Sequence, residues 1–175
     1  MQLIGEGQKL KPRFISINQV GVASGATGDG LQMQTVNGIN YKTLSAGLGV
    51  GLDYYCERTI PIFIDVRKNI FSKENTPFIY ADFGTNVPWV KENKEQTWYT
   101  SDYDKGKYYD VGLGYKLLLN KKISVNMSVG YSQKQLQETR TTHFINDFPP
   151  YTRSSNPETY DYALRRFSFK VGLIF

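Results

Sequence analysis

The chain has 175 residues, a formal net charge of +5 and a mean hydropathy of −0.43. No apolar run approaches the roughly 20 residues of a membrane-spanning helix, which excludes a helical membrane protein. Basic and acidic residues are interleaved, so the positive charge does not indicate a nucleic-acid partner, and the single cysteine, Cys56, excludes an internal disulfide and a multi-cysteine metal site.

Segments in which apolar and polar residues alternate run from end to end of the chain, as in β-strands. The first two strands are predicted near residues 12–24 and 29–41, followed by a tight turn at Lys42-Thr43. The Asn-Gly pair in VNGIN is an alternative place for this turn. The letters INQVGV interrupt the alternation of the first strand and predict a phase slip or a β-bulge there.

Six further segments keep the alternation and bring the predicted number of strands to eight. They are SAGLGVGLDYY (45–55), IPIFIDVRK (60–68), PFIYADFGTNVPW (77–89), YYDVGLGYKLLL (108–119), ISVNMSVGYS (123–132) and RRFSFKVGLIF (165–175).

The connections between these strands alternate in length. Short ones are predicted at 42–43, 72–75 and 120–122, and mostly longer ones at 23–30, 55–59, 90–106 and 138–159. Short turns at one end and longer loops at the other are typical of outer-membrane barrels. We therefore predict an all-β fold, an eight-stranded antiparallel up-and-down transmembrane β-barrel with both termini at the short-turn end.

The polar face of the strands is rich in glycine, which a narrow eight-stranded lumen accommodates better than a water-facing sheet does. Charged residues of the same face are predicted to form a lumen charge network, namely Asp65, Arg67, Asp82, Asp110, Lys116, Arg166 and Lys170. Aromatic residues near the strand ends, Tyr54, Phe71, Trp89, Tyr109 and Tyr131, suit an aromatic girdle. The alternative is a soluble ligand-binding β-barrel with the apolar face inside.

The last strand has an apolar residue at every second position back from its end: Phe167, Phe169, Val171, Leu173 and Phe175. This pattern resembles the assembly signal of bacterial outer-membrane barrels. With GLGVGLDYY and TPFIYADFG, it makes most of residues 31–175 similar to small outer-membrane barrels of the Bacteroidetes type, related in architecture to outer-membrane proteins A and X.

That resemblance implies a place in the bacterial outer membrane, in contact with its lipid and lipopolysaccharide. It implies that the barrel assembly machinery reads the closing strand, and that both termini are periplasmic. Residues 1–11 are then expected to form an N-terminal periplasmic segment, and residues 12–175 the barrel.

Motifs for chemistry are scarce, and we predict a protein that is not an enzyme and needs no cofactor or metal. The alternative is an outer-membrane lipid-modifying hydrolase, similar to a lipid A deacylase, built on the only histidine. A Ser-His-acid set would then be drawn from His143, Asp147, Ser154, Ser155 and Glu158.

The two longest loops combine aromatic residues with polar ones, a composition typical of contact surfaces. The candidate binding residues are Trp98, Tyr99, Tyr103, Phe144, Phe148, Tyr151 and Arg153. The predicted function is a binding or accessory surface, for an extracellular glycan or protein or within a larger outer-membrane complex. A purely structural membrane component is the other possibility left open.

Overall fold

The fold is described from a computed structural model for residues 11–89, 99–120, 123–145 and 153–175, with the side chains of residues 99, 143–145 and 153–155 left aside. The strands are β1 Arg13–Gly25, β2 Gly28–Tyr41, β3 Leu44–Asp53, β4 Thr59–Asn69, β5 Thr76–Pro88, β6 Tyr99–Asp104, β7 Gly106–Asn120, β8 Ile123–Ile145 and β9 Arg153–Ile174. In this part of the chain, no helix is long and apolar enough to span a membrane.

Eight of these strands close into a ring in which every pair is antiparallel. The order is β1-β2-β3-β4-β5-β7-β8-β9, and β9 returns to β1. The remaining strand, β6, pairs only with the part of β8 that lies beyond β7, so β6 and β7 act as one long strand interrupted at Lys105. The predicted eight-stranded antiparallel up-and-down barrel is confirmed.

The apolar face of the strands forms the outside of the barrel. Leu48 is 71% exposed and Phe169 is 57% exposed, whereas polar residues such as Asp82 and Asn126 are completely buried inside. All five predicted girdle aromatics are exposed, and Phe71 also lines the mouth at the end of the barrel where residues 70–75 connect β4 to β5. Because the apolar face looks outward, the soluble barrel with an apolar cavity is wrong.

Glycines make room for the large aromatic side chains of the lumen. Phe63 lies directly opposite Gly49 on one neighbouring strand and Gly84 on the other. A Cβ atom added to Gly49 would approach the Phe63 ring to 2.3 Å. Tyr80 lies in the same way beside Gly112, which is paired with Gly130. Glycines in the lumen therefore leave the space that a few large neighbouring side chains occupy in a narrow barrel.

Two of the three turns predicted at one end of the barrel are present, and residues 121–122 of the third lie outside the described residues. The turn at Lys42-Thr43 is present, with Lys42 at a left-handed φ of 57°, and the Asn-Gly pair of VNGIN lies inside β2. Residues 70–75 connect β4 to β5 at the same end. We call this end the turn end.

At the opposite end, the predicted connection at 55–59 agrees with the structure, which has residues 54–58 between β3 and β4, whereas the other three differ. The expected loop at 23–30 is a two-residue turn at Ala26-Thr27, because both strands continue to Gly25 and Gly28. Much of the expected loops at 90–106 and 138–159 is strand as well, in β6 and in the long ends of β8 and β9. These segments have the polar composition of loops because the strands extend beyond the apolar band of the barrel, where both of their faces are in contact with water.

Of the two possibilities predicted for INQVGV, the β-bulge is wrong, and the phase slip affects only which residue types face in and out. The β1–β2 register runs without a break from Arg13 opposite Asn40 to Gly25 opposite Gly28. The alternation is interrupted by residue type alone, because Ile17 packs inside while Asn18 points outward. The register shift that does occur lies in β7, between Leu118 and Asn120.

A small polar patch consequently faces outward in the middle of the β1–β2 pair, formed by Ser16, Asn18, Thr35 and Asn37. The Thr35 hydroxyl donates to Asn18 Oδ1 at 2.8 Å, while Asn37 makes no side-chain hydrogen bond with a described residue. Apolar residues lie on both sides along the strands, so the patch falls within the apolar band.

Replacing Asn37 by leucine should raise the free energy of unfolding in lipid vesicles by about 1–2 kcal/mol, because an unpaired amide leaves the hydrocarbon region. Urea titration of vesicle-embedded protein measures the change. Gln135→Leu, on the outward side beyond the apolar band, should give no such gain. A loss of stability in Asn37→Leu would mean that the amide has a partner in the membrane.

Candidate functional site

Three carboxylates lie side by side across the middle of the lumen. Asp82 on β5 is directly opposite Asp65 on β4 and Asp110 on β7. Lys170 reaches them from the far wall, with its Nζ 2.9 Å from Asp110 Oδ2 and 3.6 Å from Asp82 Oδ2. Asp65 is paired with Arg67 at 2.9 Å. The predicted charge network is therefore assembled around these five residues.

Neutral donors complete the surroundings of Asp110. The Tyr80 hydroxyl donates to its Oδ1 at 2.8 Å, and the Ser168 hydroxyl lies 3.3 Å from both oxygens. Tyr108 is a further donor, 3.4 Å from Oδ2. A carboxylate buried this completely is tolerable because cationic and neutral donors surround it.

A second charged layer lies nearer the end opposite the turn end. Asp53 pairs with Arg166 and, at 3.5 Å, with Lys134. The ring of Tyr55 covers both cations, with its centroid 5.2 Å from Arg166 Cζ and 5.9 Å from Lys134 Nζ. Arg166 was predicted in the network, whereas Asp53 and Lys134 were missed. Asp53 is the last residue of its strand, and Lys134 lies just beyond the predicted end of its own.

Lys116 departs from the prediction. It shares the inward face but is only half-buried, lines the mouth at the turn end and makes no ion pair with a described residue. The two inner layers thus contain four acids and four bases: Asp53, Asp65, Asp82, Asp110, Arg67, Lys134, Arg166 and Lys170. Their charges balance, and they fill the lumen. Beyond them, Ala23, Tyr55, Leu136 and Leu164 form a small apolar cluster.

Strands β6, β8 and β9 continue past the ring as a three-stranded sheet. In it β6 pairs with β8 from Tyr99 to Asp104, and β8 pairs with β9 as far as Ile145 opposite Arg153. One face of this sheet is continuous with the lumen wall. We call it the extension face, and it is defined by Ser101, Tyr103, Glu138, Arg140, Tyr160 and Tyr162.

Glu138 is the centre of the extension face. Its Oε1 accepts from the Ser101 hydroxyl at 2.8 Å and from Arg140 Nη2 at 3.3 Å, and its Oε2 accepts from the Tyr162 hydroxyl at 3.0 Å. Desolvation acts to raise the pKa of Glu138, but these hydrogen bonds and the Arg140 charge outweigh it and hold the pKa below its usual value. The carboxylate is therefore ionised at neutral and mildly acidic pH.

Tyrosines surround this carboxylate. Tyr160 and Tyr162 are 39% and 40% exposed, and the Arg140 guanidinium lies 5.7 Å from the centroid of the Tyr160 ring. Desolvation and the nearby Glu138 charge raise the pKa of Tyr103 to about 12, so its hydroxyl remains a donor. The extension face thus presents aromatic rings, hydroxyl donors, a carboxylate and a guanidinium within one rigid sheet.

Of the predicted binding residues, only Tyr103 has a described side chain, and it belongs to the extension face. Tyr99, Phe144 and Arg153 lie in β6, β8 and β9, and only their backbone is described; Trp98, Phe148 and Tyr151 lie outside the described residues. The prediction missed Glu138, Arg140, Tyr160 and Tyr162. The period-two pattern, continued backward from Arg166 through Leu164, would have found the two tyrosines.

The predicted hydrolase residues are only partly brought together. His143 is directly opposite Ser155 in the β8–β9 pair, and Ser154 is opposite Phe144. Glu158 lies three positions from Ser155, about 10 Å along the strand, and accepts a hydrogen bond from the Tyr160 hydroxyl at 2.6 Å. Asp147 lies outside the described residues. Within the described chain, no group of three or more histidine, cysteine or acidic residues could hold a metal ion.

The closing strand has the orientation that its pattern predicts. Phe167, Phe169, Val171, Leu173 and Phe175 are all exposed on the outer surface, and β9 pairs with β1 on one side and β8 on the other. The segment is therefore the strand that closes the ring. Its recognition by an assembly machinery stays a prediction.

Neither a family profile nor a curated protein matches this sequence. Solved structures that are similar in fold include two outer-membrane proteins. The outer membrane protein AlkL in DMPC lipid bilayers has 12% identity and a TM-score of 0.58, covering 100% of this chain and 94% of its own. Neisserial surface protein A has 11% identity and a TM-score of 0.59, covering 94% of this chain and 97% of its own.

At such identity the likeness is one of fold. Together with the outward apolar face and the filled polar lumen, it defines the class of this protein. The chain is a small eight-stranded transmembrane β-barrel of the outer-membrane type.

Proposed function

We propose that this protein is a non-enzymatic outer-membrane barrel that binds an extracellular carbohydrate through its extension face. The observation that carries the proposal is the continuation of three strands past the ring, with Tyr160 and Tyr162 about 40% exposed beside Glu138 and Arg140. Such a surface is not needed to close the barrel.

The chemistry of the extension face suits a sugar better than an apolar ligand. Tyrosine rings offer flat apolar surfaces for the C–H faces of a pyranose, and the hydroxyls of Tyr160 and Tyr162, which donate to Glu158 and Glu138, keep lone pairs that accept from a sugar hydroxyl. The buried Glu138 carboxylate holds Tyr162 and Arg140 in position, and Arg140, whose side chain is 42% exposed, donates to sugar oxygens. Because the strands are hydrogen-bonded on a rigid barrel, little ordering is required on binding.

The proposed orientation places the turn end and both termini in the periplasm and the extension outside the cell. Its support is the contrast between the short connections at 42–43 and 70–75 and the strands that continue at the other end. Lipopolysaccharide would then surround the outer half of the barrel. A larger outer-membrane complex is a further use that the extension face would allow.

A glycan array probed with the protein in lipid nanodiscs tests carbohydrate binding. Glu138→Gln should weaken binding of the retained glycan by roughly tenfold or more, because the carboxylate that positions Tyr162 and Arg140 is lost, and Tyr162→Ala should do the same by removing a ring. Asp161→Asn, on the outward side of the same strand, is the matched control and should bind normally. Equal loss in the control, or no retained glycan, contradicts the proposal.

The filled lumen predicts that the barrel does not conduct. Vesicles containing the protein should take up small sugars and ions no faster than protein-free vesicles. Stepwise conductance in planar bilayers would contradict this expectation.

The hydrolase alternative is tested on the same preparation. Lipid A incubated with the protein should keep its acylation pattern in mass spectra, and loss of an acyl chain would support the hydrolase.

A further inference from the structure

The mouth of the barrel at the turn end contains a cavity of about 480 Å³ that the two charged layers do not fill. It lies at the end of the lumen opposite the extension face. Apolar side chains, including Phe78 and Ile17, contribute to its inner wall, and polar groups such as Ser45 and Ser124 line its sides. The cavity is large enough for a small solute.

The charge of this mouth is strongly unbalanced, in contrast to the inner layers. One acidic side chain, Glu74, lines it with four basic ones, Arg13, Lys42, Lys73 and Lys116, and with Arg67, whose charge is already balanced by Asp65. They come from β1, β4, β7 and the connections at 42–43 and 70–75, so the fold gathers them from distant parts of the sequence. A cavity with this excess of positive charge favours an anion.

Arg67 differs from the other basic residues of the mouth because its guanidinium is buried and held in a fixed position. Its side chain is only 6% exposed, and its Nε and Nη2 are already engaged with Asp65 at 2.9 Å and Gln19 Oε1 at 3.3 Å. The rings of Phe78 and Tyr80 lie 5.6 and 5.7 Å from its Cζ and hold the guanidinium in place. Its Nη1 is buried and has no hydrogen-bond partner in the described part of the chain.

A buried guanidinium nitrogen with two free hydrogens is rare, because buried donors are nearly always paired. Nε and Nη2 are occupied by partners within the barrel, so Nη1 is the one nitrogen of this cavity-lining side chain that has no partner among the described residues. Phosphate and carboxylate oxygens are both suited to such a group, and the excess of positive charge at this mouth favours the more highly charged phosphate. Lys116, half-buried on the same wall and without an ion pair to a described residue, supplies a second charge.

We propose that the turn-end mouth is a binding site for a phosphate group, with Arg67 Nη1 as the fixed donor and Lys116 and Arg13 as the surrounding charges. The phosphate belongs either to a small solute or to a phospholipid headgroup that enters the mouth from the adjacent leaflet. This site is separate from the extension face and does not depend on the function proposed for it.

Titration with inorganic phosphate tests the site on the full chain, folded in a maltoside detergent without phosphate in the headgroup or the buffer. Calorimetry, or NMR of the Arg67 guanidinium, should show saturable binding. Arg67→Lys keeps the charge but loses the planar fork, and should weaken binding by roughly tenfold or more. Lys116→Gln, a milder change at the half-buried position, should weaken it severalfold.

Arg165→Gln is the matched control, because Arg165 is an exposed cation near the opposite end of the barrel. It should leave phosphate binding unchanged, and unheated and boiled samples on a gel verify that each variant is folded. Absence of saturable binding in the folded wild type overturns the proposal. So does equal weakening by Lys116→Gln and Arg165→Gln, which would indicate attraction by net charge alone.

An experiment in nanodiscs distinguishes the two sources of phosphate, a lipid headgroup and a free solute. If the mouth takes a lipid headgroup, anionic phosphatidylglycerol should compete with inorganic phosphate, and the competition should disappear in Arg67→Lys. If the mouth takes a free solute, phosphate should bind equally well in discs with and without that lipid. Either result supports a phosphate site and identifies its ligand.

Discussion

Replacing Lys170 by methionine should lower the free energy of unfolding by about 3–5 kcal/mol, the range for removing one partner of a buried ion pair. The Lys170 side chain is 1% exposed, and its Nζ lies between Asp110 at 2.9 Å and Asp82 at 3.6 Å. Methionine retains most of the volume, so the loss measures charge rather than packing. Without the ammonium group, the buried carboxylates of Asp82 and Asp110 lose the cation that lies between them.

Urea titration of the barrel in lipid vesicles, followed by tryptophan fluorescence, measures this change. Lys107→Met on β7 is the matched control, because Lys107 is exposed, and its effect should stay within about 0.5 kcal/mol. Asp110→Asn combined with Lys170→Met should recover part of the loss, since one uncompensated charge is removed. If Lys170→Met were as stable as the wild type, the network would not hold the barrel together.

The second large effect is expected from Gly49→Leu, at about 3 kcal/mol of lost stability. A Cβ at this position would lie 2.3 and 2.4 Å from two ring atoms of Phe63. That ring is buried and packs against Tyr108 at a centroid distance of 5.4 Å, so it cannot move aside freely. Overpacking of a rigid interior is destabilising even when the added group is apolar.

A double-mutant cycle separates overpacking from other effects. Phe63→Ala alone should cost about 3–5 kcal/mol through the cavity that it leaves. The combination with Gly49→Leu should cost less than the sum of the two changes, because the new side chain fills part of that cavity. Ala46→Leu on the outward face of the same strand is the control and should be neutral or stabilising in lipid. Strict additivity would mean that Gly49 and Phe63 do not share their space.

The successes of the sequence analysis follow from local rules. Alternation in SAGLGVGLDYY and IPIFIDVRK identified β3 and β4 because side chains on successive strand residues point to opposite faces. Glycine on the polar face indicated which side is the crowded lumen. The turn at Lys42-Thr43 was located because it leaves two strands of plausible length.

The predictions that are wrong were based on amino-acid composition at positions where backbone geometry determines the structure. INQVGV was interpreted as a bulge because Ile17 and Asn18 violate the expected pattern, yet their backbone is regular and only their surroundings are unusual. Residues 138–145 and 153–159 were interpreted as loop because both of their faces are polar. Strand residues outside the membrane have no lipid to require an apolar face, so polarity no longer distinguishes strand from loop.

By itself, the sequence determined the class of this protein: an antiparallel barrel with a polar, glycine-lined interior and an apolar outer surface. That information is local, because a period of two and a choice of small or large residue are decided one strand at a time. Only the tertiary structure decided which strands outrun their neighbours to form the extension face, and which charges are paired. Lys170 pairs with Asp110, and Arg67 and Lys116 line the same mouth, because strand register and ring closure bring distant strands together. The pattern of a single strand contains no information about its register with other strands.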